Sequence, residues 1–217
     1  MTRTITVKGI GNVSARPDYI TITMDIESVW FDYDLALRDA ASKVEEIQSA
    51  AVSVGYEKTD VKTTSFNVDT RYESYRDKGG NYKREFKGYA CSYRLKLSFD
   101  FDNKQLAKVL TALANCKAKP EIRVAFTVKD ASAVSEALLV SATENARAKA
   151  EILCRASGAQ LGDLLTIDYN WGEMHLFSPT SYEVEEPCVK MKACAAPDIE
   201  PEDIKVSDTV AFVWEIK

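Results

Sequence analysis

The sequence predicts an α+β fold in which long helices pack on largely antiparallel sheet. Three observations predict this class: stretches of alternating apolar residues, stretches with apolar residues every three or four positions, and the same order of both types in each half of the chain. With 217 residues and 46% hydrophobic content, the chain is long enough to bury its own core. We expect one large domain or two small, closely packed ones.

The first half alternates strand and helix patterns. Alternation of apolar and polar residues predicts strands over 3–9, 19–31, 60–75 and 82–101. The buried side of the second strand is expected to hold Ile20, Ile22, Met24, Ile26 and Val29. Helical spacing predicts a helix over 33–54, which Gly55 caps in the left-handed conformation. Because two glycines separate the third and fourth strands, we expect a long, protruding β-hairpin within 60–101.

The second half repeats these patterns. Asp102 is expected to cap a helix over 103–115, with Gln105 placed as in a capping box and Leu106, Val109, Leu110 and Leu113 as its apolar stripe. A second helix over 131–157 is expected to begin at Asp130 or Ser132 and to end at Gly158. Further strands are predicted over 121–128, 163–171 and 205–216, and the polar stretch 172–204 is predicted to be mostly irregular.

Laid end to end, these elements give β-α-β-β twice. The helix exits match as well, because Gly55 precedes Asp60 by five residues and Gly158 precedes Asp163 by five. We therefore predict two β-α-β-β units. The predicted division places a β-rich half with the hairpin at 1–101 and a half with two helices and the irregular loop at 102–217.

The long helix of the second half carries a polar residue on its apolar stripe. The predicted stripe consists of Val134, Leu138, Ser141, Asn145, Ala148, Ile152 and Ala156, with Ala142 and Leu153 at its edge. An unpaired buried amide destabilises a protein by about 1–3 kcal/mol, so Asn145 must find a partner. Small neighbours let another backbone approach, which favours a structural hydrogen bond to a strand or loop carbonyl over ligand binding.

Several stretches resemble the SIMPL-domain family, a bacterial domain of unknown function that includes periplasmic immunogenic proteins. The stretches are ITVKGIGNVSARPD, GYEKTDVKTTSFNV, KGYACSYRLKLSF, ARAKAEILCRASGAQLGDL and IKVSDTVAFVWEI, and together they span nearly the whole chain. The most specific positions are Gly9, Gly11, Pro17, Asp18, Ala146, Arg147, Lys149, Ala150 and Glu151. The resemblance implies an α+β fold, ring-like or channel-like homo-oligomers, a link to oxidative stress and a mammalian relative associated with a Pelle-like kinase. It implies no catalytic residue.

Composition limits the function classes. The net charge of −5 and pI near 5.1 argue against nucleic-acid binding over the whole surface, and a nucleic-acid partner is disfavoured. No stretch approaches the roughly 20 apolar residues of a membrane span. The N-terminal residues lack a signal-peptide pattern, so we expect a cytoplasmic protein. Five cysteines without short paired spacing predict free thiols.

No catalytic, cofactor or metal motif stands out, and we expect a non-enzymatic protein without a cofactor. The pair Gly9 and Gly11 predicts a turn or bulge between two strands, because no helix follows them to bind phosphate. His175 is the single histidine, and no nucleophile motif accompanies it. The loop ligands suited to soft metals are Met174, His175, Cys188, Met191 and Cys194, but their spacing favours a mobile loop.

The hairpin carries the strongest functional signal. Residues 71–96 hold eight Lys or Arg against three Asp or Glu, interleaved with aromatic residues, while residues 183–203 hold seven Asp or Glu against two Lys. Opposite charges on one chain favour pairing between copies, and such contacts close into rings when the rotation allows. The leading hypothesis is therefore a self-assembling protein, ring-like where the rotation closes, with contact residues Arg71, Tyr75, Arg76, Lys83 and Arg84.

Two alternatives stay open at this stage. The same hairpin has the composition of a surface that binds single-stranded nucleic acid or another anionic partner, since basic and aromatic residues pair phosphates and stack bases. A thiol-based redox sensor is the other alternative, and it requires a cysteine whose pKa is lowered.

Overall fold

The structure, a computed structural model, describes residues 3–76, 80–170, 172, 174–184 and 199–217. Across these residues the chain forms three α-helices and two antiparallel sheets, so the predicted α+β class is confirmed. The strands are β1 (Thr4–Ala15), β2 (Tyr19–Trp30), β3 (Lys62–Arg76), β4 (Tyr82–Asp100), β5 (Glu121–Thr127), β6 (Leu161–Asp168), β7 (Phe177–Val184) and β8 (Ile204–Ile216). The helices are α1 (Tyr33–Ser53), α2 (Asn103–Ala114) and α3 (Ala131–Ser157).

Two compact units make up the chain. The first comprises Met1–Asp18, Thr127–Pro179 and Pro201–Lys217, and the second comprises Tyr19–Phe126 and Thr180–Glu200. The sequence-based division lies between residues 101 and 102, where neither unit has a boundary. Each unit is therefore assembled from segments that lie far apart in the sequence.

The first unit is a three-stranded antiparallel sheet, β1-β8-β6, with α3 packed on it. Its core joins apolar strand side chains to small helix side chains. The members are Val7, Val210, Phe212 and Trp214 from the strands and Ala142, Ala146 and Ala150 from the helix. Alanines on the helix bring its backbone close to the sheet.

The buried stripe of α3 differs from the predicted one. The buried residues are Val134, Leu138, Ala142, Ala146, Ala150 and Cys154, which keep a strict spacing of four. Of the predicted stripe, Ile152 is exposed, and so are Ala148 and Ala156. Residues four apart lie on the same face of a helix, and the three alanines of this stripe lie where α3 packs on the sheet.

The glycine pair in β1 accounts for this close approach. A Cβ atom added to Gly9 would lie 2.0 Å from the Ala142 carbonyl oxygen, and one added to Gly11 would lie 2.2 Å from the Leu138 carbonyl oxygen. The predicted turn at these glycines is wrong, because β1 pairs with β8 without interruption from Thr4 to Ala15. The glycines provide room for a helix against a continuous strand.

The second unit holds most of the five-stranded sheet, β3-β4-β2-β5-β7, with α1 and α2. Apolar residues at alternate positions of β2, β4 and β5 form its core with both helices. Predicted buried residues Ile20, Ile22, Met24 and Ile26 are confirmed, but Val29 is exposed and Ser28 is buried instead. The alternation of β2 therefore continues through a serine, which a pattern based on hydrophobicity does not register.

The predicted helix ends are largely confirmed. The Asp102 and Asp130 side chains each accept two backbone N–H groups at the start of α2 and α3, and Gly158 ends α3 with a positive φ of 76°. Gly55, after α1, has a φ of 100°. The predicted capping box of α2 is not formed, because the Gln105 side chain donates to the Val54 carbonyl oxygen at 3.0 Å.

The second half has three features that the sequence pattern did not include. Residues 172–204 include a strand, β7, at the edge of the five-stranded sheet, where Pro179 is tolerated. The second β-α-β-β repeat does not form one sheet, because β5 lies in the five-stranded sheet whereas β6 and β8 lie in the three-stranded one. The N-terminal strand β1 pairs with β8 over its full length, which the repeat pattern did not include.

Candidate interaction surface on the hairpin

The hairpin of β3 and β4 carries the residues that the sequence analysis singled out. Its strands pair antiparallel up to Arg76, which lies opposite Tyr82. The register shifts between Arg71 and Tyr72, where Lys87 is the extra residue on β4. This bulge determines which side chains of the distal part share a face.

One face of the distal hairpin, here called the stacked face, combines arginine with aromatic rings. Its residues are Tyr72, Ser74 and Arg76 on β3 and Tyr82, Arg84 and Phe86 on β4. The Arg76 guanidinium carbon lies 4.6 Å from the centre of the Tyr82 ring, and the Arg84 carbon lies 5.2 Å from that of Tyr72. None of these six residues is acidic, and both guanidinium groups lie over aromatic rings.

The opposite face is close to neutral. Lys87 contacts Glu85 at 2.8 Å and Glu73 at 3.1 Å, and these hydrogen bonds raise the pKa of the lysine. Tyr75 lies opposite Lys83 on this side. The predicted contact residues are therefore divided: Arg76 and Arg84 lie on the stacked face, and Tyr75 and Lys83 lie on the other.

Arg71 has a separate place in the structure. Its guanidinium group forms an ion pair with Glu27 on β2, at the proximal end of the hairpin. Both side chains are about half exposed, so this pair contributes at most about 1 kcal/mol. Arg71 therefore links the hairpin to β2 and does not belong to the stacked face.

An aromatic cluster extends the stacked face toward α1, and the sequence analysis missed two of its five members, Phe31 and Tyr33. The members are Phe31, Tyr33, Tyr72, Phe86 and Tyr89. Phe86 is central, with ring centres 5.4 Å from Tyr89, 5.6 Å from Tyr72 and 6.2 Å from Phe31. Phe31 is 69% exposed, which is unusual for a phenylalanine and typical of an interface residue.

Two comparisons bear on identity. A family model described as SIMPL, protein of unknown function (DUF541), matches residues 5–214. The chain belongs to the SIMPL family. A search of curated proteins found no match. In the part of the SIMPL chain that the structure describes, no helix is long and apolar enough to cross a membrane.

In this SIMPL chain, Asn145 serves the protein's own backbone. Its Oδ1 atom accepts the Ile10 N–H at 3.0 Å, where the sequence-based expectation was a carbonyl partner. One helical turn away on either side, Ser141 Oγ accepts the Asn12 N–H at 3.2 Å and Lys149 Nζ donates to the Lys8 carbonyl oxygen at 3.2 Å. Four helix residues advance about 6 Å and two strand residues about 6.7 Å, so the two spacings match.

This row of hydrogen bonds covers the outer edge of β1. Because β1 is the terminal strand of its sheet, its outward backbone groups would otherwise be exposed for pairing. The side chains of α3 take the place of a neighbouring strand. Asn145 is thus a structural residue of the first unit.

A polar groove lies on the open face of the five-stranded sheet, opposite the helices. At its centre, Asp25 accepts from Arg94 Nε at 2.7 Å and from Arg123 at 3.0 Å. Hydrogen bonding to Asp25 raises the pKa of Arg94. Glu27 and Glu121 also line the groove, and Glu27 is paired with Arg71. With Arg71 included, three carboxylates meet three arginines, which leaves no net charge for a charged ligand.

The cysteines bear on the redox alternative. Cys91, Cys116 and Cys154 are free, and burial raises the pKa of the Cys91 and Cys116 thiols. A raised pKa lowers the thiolate fraction at neutral pH, which is opposite to what a sensor needs. Cys188, Met191 and Cys194 lie outside the described residues. Across the described residues, no group of three His, Cys, Asp or Glu side chains has metal-site geometry.

Proposed function

We propose that this SIMPL protein assembles with copies of itself and that the stacked face binds an acidic segment of a neighbouring copy. The observation that supports the proposal is the pair of guanidinium groups, Arg76 and Arg84, stacked on tyrosine rings of a face whose described residues include no carboxylate. Arg76 also donates to the Tyr82 hydroxyl at 2.6 Å. A guanidinium has five N–H groups, so both arginines retain donors for a carboxylate. Because the rings hold the arginines in place, little side-chain entropy is lost on binding.

The composition of the face supports a protein partner. Tyrosine and arginine are enriched at the energetically important centres of protein interfaces. Exposed rings of the aromatic cluster, Phe31 and Tyr33, continue the same surface with apolar area. A charged centre beside apolar rings fits a protein segment that carries both carboxylates and apolar side chains.

The occupant that we propose is the segment 183–203 of a second copy. It holds seven acidic residues and two lysines, which complements the excess of five positive charges on residues 71–96. The described acidic residues Glu183, Glu200, Glu202 and Asp203 are all exposed. A contact between two different surfaces of the same chain is heterologous, so repeated copies form a closed ring or an open chain.

Reversing the charges of the stacked face tests this proposal. We expect Arg76→Glu with Arg84→Glu to raise the dissociation constant of the assembly at least about tenfold, since each replacement places a carboxylate against an acidic partner. Multi-angle light scattering at micromolar concentration and low salt measures the effect. Higher salt should weaken the unaltered assembly as well, because exposed ion pairs are screened.

The matched control is Lys104→Glu with Lys108→Glu on α2. Both lysines are exposed, and the change in net charge is the same. The control should assemble as the unaltered protein does, and circular dichroism should show that both double variants are folded. A monomeric unaltered protein, or equal losses in both variants, contradicts the proposal.

A second candidate is binding of single-stranded nucleic acid by the same face. The alternation of Arg76, Tyr82, Arg84 and Tyr72 supports it, because phosphates pair with arginine and bases stack on tyrosine. We expect a labelled oligo-dT probe to bind at about 50 mM salt with an affinity that falls steeply as salt rises. Absence of binding at that salt rejects this candidate and leaves the assembly proposal intact.

Cytoplasmic location and a role in stress stay predictions. The free thiols Cys91, Cys116 and Cys154 are compatible with a reducing compartment. Comparing growth of a deletion strain with its parent under peroxide tests the stress role.

A further inference from the structure

The outer edge of β3 is the longest strand edge without a neighbouring strand in the described parts of the chain. β3 has 15 residues and ends the order β3-β4-β2-β5-β7. Its side chains are exposed at every position except Val68, which is half-buried. A strand edge of this length presents a row of backbone donors and acceptors for another strand.

The other terminal strands are protected. Side chains of α3 cover the outer edge of β1, as described above. β7 has eight residues and contains Pro179, which removes a backbone donor. β6 also has eight residues, and its pairing with β8 is irregular at two places. β3 therefore differs from the rest in length.

We propose that β3 pairs antiparallel with β3 of a second copy about a two-fold axis that passes through Thr70. This inference rests on the proposed function, since it names a second contact within the same assembly. It joins the five-stranded sheets of two copies into one continuous sheet. The contact is isologous and uses the edge of the hairpin, whereas the stacked face uses one of its surfaces.

Symmetry limits the possible registers. A two-fold axis normal to the sheet keeps each face on its own side, so opposite residues must both point to the same face. In β3, odd-numbered residues such as Ser65 and Asn67 point to the open face with the polar groove, and even-numbered residues such as Val68 point toward α1. The axis must therefore pass through a residue and not between two residues.

Charge selects among the remaining registers. An axis through Thr70 places Asp69 opposite Arg71 of the second copy, twice, and also places Val68 opposite Tyr72. An axis through Asp69 would place two aspartates opposite each other. An axis through Arg71 would place two arginines opposite each other and Asp69 opposite Glu73. Both of these registers set like charges directly against each other, which destabilises the pairing.

An axis through Val68 pairs as many residues as one through Thr70, but it sets Asp69 opposite Asn67 and Arg71 opposite Ser65, so no opposite charges meet. Length separates the two registers in which opposite charges do meet. An axis through Tyr72 also gives opposite charges, with Arg71 facing Glu73, but it pairs only residues 68 to 76. The axis through Thr70 pairs residues 64 to 76, which adds backbone hydrogen bonds at both ends. It also places the distal part of each hairpin against the proximal part of its partner, where β3 is supported by β4 and β2.

A cysteine at the axis tests the register. In a chain with Cys116→Ser, Cys188→Ser and Cys194→Ser, the variant Thr70→Cys should form a disulfide-linked dimer as the main product of copper-phenanthroline oxidation. Directly opposed strand residues have Cα atoms about 4.5–5.5 Å apart, within the range of a disulfide. Non-reducing gels measure the product, and light scattering at the same concentration measures assembly.

The matched controls are Tyr72→Cys and Asn67→Cys in the same background. We expect less than about one tenth of the Thr70→Cys product from either, because neither residue lies opposite itself when the axis passes through Thr70. The two copies of Asn67, for example, are then six residues apart along the strands, or about 20 Å. A larger product from Tyr72→Cys overturns the Thr70 register. Assembly without any Thr70→Cys product overturns β3 pairing but not the proposed function, whereas a strictly monomeric background chain overturns both.

Discussion

Replacing Gly9 by alanine is expected to lower the free energy of unfolding by about 3 kcal/mol, at the upper end of overpacking effects. The new Cβ atom would lie 2.0 Å from the Ala142 carbonyl oxygen and 2.7 Å from the Ala146 Cβ. Neither atom can rotate away, because one belongs to the backbone of α3 and the other is fixed to it. Relief requires α3 to move away from β1. Chemical denaturation followed by circular dichroism measures the loss.

The control for this prediction is Gly172→Ala. No heavy atom outside its immediate neighbours lies within 4 Å of the position of its added Cβ, so we expect a change within about 0.5 kcal/mol. Movement of α3 should also break the hydrogen bond from the Ile10 N–H to Asn145. Hydrogen exchange at Ile10 should therefore be faster in Gly9→Ala than in the control. Equal stabilities of the two variants would contradict the proposed contact between β1 and α3.

Local signals in the sequence predicted much of the fold. Helix caps at Asp102, Asp130 and Gly158 were predicted because a cap depends on residues within one helical turn. The hairpin was predicted because alternation on both sides of a glycine-rich turn is also local. Contacts between distant segments were not predicted. Gly9 and Gly11 were predicted to form a turn or bulge, because the sequence does not show that α3, more than 120 residues away, lies against them.

The candidate surface was predicted in part for the same reason. The sequence placed Arg76, Lys83 and Arg84 together on the hairpin, but it did not separate the two faces. That separation depends on the bulge at Lys87, which a pattern of alternation does not reveal. Phe31 and Tyr33 were missed because they join the cluster through the fold. The sequence shows only that a phenylalanine follows the predicted strand. That Phe31 is exposed and joins the cluster is known from the structure.

Gly88→Ala is expected to lower the free energy of unfolding by roughly 4 kcal/mol, since backbone strain and overlap each contribute. Gly88 has a φ of 131°, and its added Cβ would lie 2.3 Å from the Trp30 carbonyl oxygen. The matched control is Gly80→Ala in the same hairpin, whose φ is 82° and whose added Cβ would meet no atom within 4 Å. The φ of the control lies nearer the left-handed region that alanine can adopt, so its loss should be smaller on both counts. Thermal and chemical denaturation of both variants measure the combined effect of the overlap and the larger strain at Gly88.

The close approach of the Trp30 backbone to Gly88 also connects the fold to the proposed function. Gly88 lets the backbone at Trp30 and Phe31 lie against β4, next to Phe86 and Tyr89. Forcing this backbone outward separates Phe31 from Phe86, and near-ultraviolet circular dichroism should record the altered ring environment. Because the rings belong to the surface that we propose for assembly, the folded fraction of Gly88→Ala should assemble less than Gly80→Ala. Equal denaturation, equal spectra and equal assembly of the two variants would mean that the approach of Trp30 to β4 neither stabilises the hairpin nor shapes its surface.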